Sequence, residues 1–144
     1  MDWNGTSILK NILFLMILFE SLLLASDEDI ATKIYISIAK ELSHKTHPTF
    51  YLHGTIKHLN KNKKIPTSLT CEQADIIVLN TLEKLPKNCK EKLLFTNSYN
   101  VYAQDENIIG AFFWQKGRPN IIFNKNVLER KNIILSPSFN KYVE

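Results

Sequence analysis

The chain has 144 residues, 18 Lys or Arg against 14 Asp or Glu, a net charge of +4, 44% hydrophobic residues and two cysteines. These values exclude a disordered or low-complexity chain, a disulfide-dense scaffold and a strongly basic nucleic-acid binder. The four glycines form no Gly-rich phosphate loop, and no nucleophile elbow is present.

The first element is apolar. Ile8 to Ala25 (ILKNILFLMILFESLLLA) carries Lys10 early, an apolar middle, and then Ser26-Asp27-Glu28-Asp29. That order reads as a secretory signal peptide over residues 1–25. An uncleaved anchor is the second reading, although Glu20 is costly in a bilayer and the stretch is short for a span of roughly 20 residues. A buried N-terminal helix is the third. No Cys follows the apolar run, so a lipoprotein anchor is not expected. Without Lys10, Asp2 and Glu20 the remaining residues, 26–144, hold 17 basic and 12 acidic side chains, net +5. That length suits one domain with a single core. Much of the charge falls in Lys57–Lys64, which reads as a solvated loop.

Asp29 to Leu42 places Ile30, Ile34, Tyr35, Ile38 and Leu42 at helical spacing. Thr49 to His53 reads as a short strand, Thr55 to Asn60 as a brief helix. Ala74 to Asn80 is continuously apolar and β-branched, the pattern of a strand covered on both faces. Thr81 to Lys92 looks helical but is broken by Pro86. Leu93 to Thr96 is a second buried strand, and Asn97 to Asn107 reads as a loop. Two apolar runs flank Gln115-Lys116-Gly117-Arg118-Pro119 and predict a β-hairpin. A short helix from Lys125 to Lys131, Asn132 at its C-cap, and a helix starting at Ser136-Pro137 complete the chain. Strands separated by helical segments predict a small three-layer α/β domain with a parallel or mixed sheet and an antiparallel hairpin at one edge.

From Leu93 to Phe139 the order resembles the YfiR-like periplasmic regulators. The matching residues are Leu94, Phe95 and Thr96, then Tyr102 and Ala103, then Gly110, Phe112 and Trp114. Arg118, Ile121, Phe123 and Asn124 follow, with Leu128, Arg130, Ile133, Leu135 and Ser136 after them. Asn132 replaces the family's glycine, a substitution that the left-handed conformation of a helix C-cap tolerates. Lys33 to Lys40 is similar to the family's first helix, whereas His47-Pro48 departs from the pattern after it. The resemblance implies a Rossmann-like α/β fold. It also implies a non-enzymatic regulator that binds the periplasmic domain of a membrane-bound signalling protein, such as a diguanylate cyclase or a sensor kinase. No cofactor and no nucleic-acid partner is expected, and a homodimer is left open. The alternative is a periplasmic small-ligand-binding module with a cavity near Gly54, Asn80 and Asn97, at the carboxyl ends of the strands.

An even cysteine count in an exported chain favours a disulfide between Cys71 and Cys89, against two separate thiols. His44, His47, His53 and His58 are close in sequence, yet their spacing and the intervening Pro48 and Gly54 argue ordinary loop and strand-end histidines, not a metal site. Strand alternation puts Phe112 and Trp114 on one face of the hairpin, Ala111 and Phe113 on the other. Phe112, Trp114, Arg118 and Phe139 are therefore the candidate partner-binding residues. The competing reading packs both faces, one of them through Phe139 and Tyr142 of the C-terminal helix.

Overall fold

A computed structural model describes residues 27–60 and 64–144. The segment read as a signal peptide or anchor lies outside them. Among the described residues no helix is long and apolar enough to cross a membrane.

Helix α1 (Asp27–Ser43) is followed by strands β1 (Phe50–His53), β2 (Ile76–Leu79) and β3 (Leu93–Thr96). Helix α2 (Tyr99–Gln104), strands β4 (Ile108–Gln115) and β5 (Arg118–Phe123), and helices α3 (Lys125–Arg130) and α4 (Pro137–Asn140) come next. The strands lie in sequence order, β1 to β4 parallel and β5 antiparallel to β4. This is a three-layer α/β domain with a C-terminal hairpin.

All four residues of β2 are buried, because both faces of the sheet are covered. On one face α1 sends Tyr35, Ile38 and Leu42 onto Phe50, Val78, Phe95 and Phe112. Tyr35 meets Phe112 edge-on at 5.1 Å and Phe95 at 6.2 Å. Burial pushes the Tyr35 hydroxyl well above the ordinary phenol range, so it stays protonated. The opposite face is covered by two 3-10 turns, Cys71–Gln73 and Lys87–Glu91, and by α2. A disulfide joins Cys71 to Cys89, with Cα atoms 5.6 Å apart, and ties the two turns over Ile77, Leu79 and Leu94.

A bulge lets β4 serve both layers. Leu94 pairs with Ile108 but Phe95 pairs with Gly110, leaving Ile109 as the extra residue. Ile108 consequently joins the disulfide-side cluster, while Ile109 and Phe112 join the α1 side. Gly110 sits where a Cβ would approach the Ile122 carbonyl oxygen to 2.5 Å and the Phe95 ring to 2.9 Å, so only glycine fits.

Several local expectations change. Thr55–Asn60 is not a helix but a pair of turns in which Leu59 N–H and Asn60 N–H both donate to the Ile56 carbonyl, at 2.9 and 3.1 Å. The Asn60 side chain accepts from the Ile56 N–H, a local bond that competes with helix. Between Thr81 and Lys92 a tight turn, with Leu85 N–H donating to Leu82 O at 3.4 Å, is followed by the 3-10 turn Lys87–Glu91, which starts after Pro86. The expected loop contains α2, whose Ser98 cap accepts from Val101 N–H at 3.4 Å. Arg118 and Pro119 are not turn residues but the first residues of β5. The turn itself is Lys116-Gly117, both at positive φ (51° and 72°), as a two-residue type I′ hairpin requires. Asn132, at φ 53°, does close α3: its N–H donates to Glu129 O (3.1 Å) and Ile133 N–H to Leu128 O (2.9 Å), a Schellman motif.

Candidate recognition surface

The hairpin begins inside the domain and ends outside it. Along β4, Ile108 to Phe112 are buried, Phe113 is half-buried, and Trp114 and Gln115 are exposed. Along β5 the gradient reverses, from exposed Arg118 and Pro119 to buried Ile122 and Phe123. The reason is topological. Strand β3 ends at Thr96, opposite Ala111, so the last four residues of β4 have only β5 beside them. The result is a two-stranded ribbon whose faces are incompletely covered.

The outer edge of β5 is also finished. Phe123 N–H donates to Tyr142 O (2.8 Å) and Glu144 N–H to Phe123 O (2.9 Å), which places Val143 beside Phe123. Pro119 stands opposite Trp114, and its missing N–H blunts the same edge.

The four residues expected to bind a partner do not form one surface. Phe112 is 2% exposed and packed on Tyr35; it is a core residue, and the expectation of a surface role is corrected. Trp114 lies 6.2 Å from Phe112 on the same face but is 36% exposed. Arg118 is exposed at the ribbon tip, paired with Gln115. Phe139 is half-buried elsewhere, 6.1 Å from Phe123, beside a cleft of about 370 Å³ between α1 and the C-terminal segment. Only Trp114 and Arg118 belong to the open end.

The face opposite α1 carries a groove of about 800 Å³. Phe113 and Ile122 line it from the sheet, Tyr99 from the start of α2. Tyr99 is 53% exposed and leans on Phe113 with ring centroids 5.6 Å apart. Asn97, Asn100, Gln115 and Asn120 bring amide groups, that of Asn120 donating to Arg118 O at 3.0 Å, and Glu144 is the one charged residue among the described lining residues. Behind Tyr99, the Tyr102 hydroxyl is held above the usual phenol range by burial, with smaller contributions from Glu144 and Tyr99.

Asn97 borders the groove. It follows β3 directly and also lines a second cavity of about 150 Å³ with Tyr35, His58 and Trp114. Its Oδ1 is buried without a hydrogen-bond partner. Of the three positions named for a ligand cavity, Asn97 alone reaches the groove, for Asn80 donates its Nδ2–H to Thr55 O at 2.9 Å. Tyr99 was not singled out in the sequence, although the Ser98 cap that starts its helix was an available signal.

The histidines are placed singly. His53 Nε2 lies 2.8 Å from Glu83 O, and His44, at φ 56°, ends α1 with its N–H on Lys40 O at 3.0 Å. Among the described residues no group of three or more His, Cys, Asp or Glu side chains is placed to hold a metal ion. The disulfide is the feature that bears on location, since such bonds persist in oxidising, exported compartments. Compared with family models and with curated proteins, the chain matches none.

Proposed function

We propose that this domain is a non-enzymatic regulatory protein of the periplasm that binds the outer domain of an inner-membrane signalling protein, such as a diguanylate cyclase or a sensor kinase. The observation that carries the reading is the ribbon that outruns β3, with Trp114 and Arg118 exposed at its end among the described residues. An uncovered two-stranded ribbon is marginal by itself, and exposed Trp and Arg are the side chains that dominate protein interfaces. The resemblance over Leu93 to Phe139 supplies the class of partner, and the disulfide is compatible with export.

Affinity capture from solubilised membranes tests this directly. The wild-type chain should retain a membrane protein that carries a cytoplasmic signalling domain, and the Trp114→Ala, Arg118→Ala variant should lose at least about tenfold in capture, near 1.4 kcal/mol. Its circular dichroism spectrum should stay native. Equal capture by both forms, or unfolding of the variant, would remove the ribbon as the interface.

A further inference from the structure

We infer that the edge of β4 beyond Thr96 accepts an added strand, and that this strand is an extended acidic segment of the protein partner. That assignment rests on the ribbon being the recognition surface, and adds how a partner is held there.

The edge exists because β3 stops early. Ser98 N–H folds back onto Thr96 Oγ1 at 3.2 Å and Ser98 caps α2, so the chain leaves the sheet just beyond Thr96. Strand β4 runs on to Gln115. A two-residue hairpin closes on a hydrogen-bonded pair, here Gln115 with Arg118, and such pairs alternate along an antiparallel ladder. Trp114 and Pro119 are therefore a non-hydrogen-bonded pair, each with its main-chain groups turned away from the other strand. Pro119 agrees, since it has no N–H to place between the strands. The Trp114 N–H and C=O thus face the side where β3 is missing, and among the described residues neither has a hydrogen-bond partner.

The two edges of the hairpin differ. The β5 edge is occupied at Phe123 and blunted by Pro119, the kind of protection that prevents stray pairing. The β4 edge over Phe112–Gln115 (FFWQ) has no proline and no charge, and its aromatic residues favour strand. A cavity of about 150 Å³ lies against it, lined by Phe112 and Trp114 from one face, Phe113 from the other, and Asn97 after β3. A space that meets both faces of one strand sits at its edge. It is smaller than the roughly 300–1,000 Å³ of small-ligand sites, so one side of an extended chain suits it better than a compact molecule.

Charge decides the partner. Lys57 lines the same cavity, and Lys116 and Arg118 stand exposed at the tip. Among the described residues none of these three is in an ion pair. The one carboxylate of the adjoining groove, Glu144, lies across β5, its N–H on Phe123 O at 2.9 Å. Acidic side chains on an added strand would meet the three cations, while main-chain bonds to Trp114 hold it whatever its sequence. A second copy of the chain would bring the same cations face to face, which disfavours self-pairing.

The full chain, labelled with nitrogen-15, is titrated with three probes. The first is an acetylated, amidated hexapeptide of alternating Glu and Val, the second the same peptide N-methylated at every amide, the third an alternating Lys and Val peptide. The first should give saturable shifts of the Phe112–Gln115 amides, largest at Trp114, with a dissociation constant near ~1 mM. The other two should bind at least about tenfold more weakly. Lys57→Glu with Lys116→Glu, both at exposed positions, should reverse the preference between the Glu and Lys peptides. Trp114→Pro, which removes the edge N–H, should weaken the first peptide at least about tenfold; where it fails to fold, the charge reversal carries the test. No saturable shift with the first peptide at ~10 mM, equal binding of its N-methylated form or of the Lys peptide, or shifts that grow with protein concentration alone would overturn the assignment. Membrane capture without peptide binding would remove the added strand and leave the regulatory reading; peptide binding without capture would do the reverse.

Discussion

The disulfide-bonded face and the hairpin tip treat the same sheet in opposite ways. Over β2 and β3 two short 3-10 turns, too small to hold themselves, are joined by Cys71–Cys89 and seal Ile77, Leu79 and Leu94 from water. At the tip of β4 and β5 nothing comparable is added, and Trp114, Gln115 and Arg118 stay exposed. A small domain has little apolar area with which to hold itself together. Here a covalent link reinforces the closed region, and the open region is the one proposed for recognition.

Breaking the closed side should have the largest effect. Cys71→Ser with Cys89→Ser opens an 18-residue separation and should cost about 3 kcal/mol, read as a lower midpoint in urea.

A smaller effect is expected where the closed side is pinned by charge. Asp75, just before β2, accepts from Thr49 N–H at 2.8 Å and forms an ion pair with Lys45. Burial acts to raise its pKa, but the Lys45 and Thr49 hydrogen bonds and the charges of Lys45 and Lys92 outweigh it and hold the carboxyl below its ordinary value. A depressed carboxylate stabilises the fold above its unfolded pKa of about 4 and loses that contribution as pH falls through the folded value. Asp75→Asn should therefore cost about 1 kcal/mol at neutral pH and flatten the acid limb of stability against pH.

The smallest effect on stability belongs to the open side. Trp114→Ala removes a half-exposed ring that touches Phe112 and should cost about 1 kcal/mol or less. The contrast sharpens if that variant loses capture while the double serine variant, where still folded, keeps it.

Much of this was legible in the sequence. The continuous apolar runs at Ile76–Leu79 and Leu93–Thr96 identified strands covered on both faces, and the cysteine count pointed to the bond between the turns. Strand alternation set Phe112 and Trp114 on one face, as observed. It did not reveal that Tyr35 covers the first and stops short of the second, because that depends on where a separate helix lies. Pro119 suggested a turn, since the outward direction of its missing donor is decided by hairpin register. Helix α2 is six residues long with only Val101 buried, too short for a periodic signal. The unpartnered Asn97 oxygen has no signature in sequence, for it arises from what surrounds it in three dimensions.

Amide hydrogen exchange of the domain, alone and with the membrane protein it captures, tests the assignment of function to the open end most directly. Slower exchange on binding is expected within residues 112–122, with no change across 71–91. Protection gained at the disulfide-bonded turns instead, or at neither region, would contradict it.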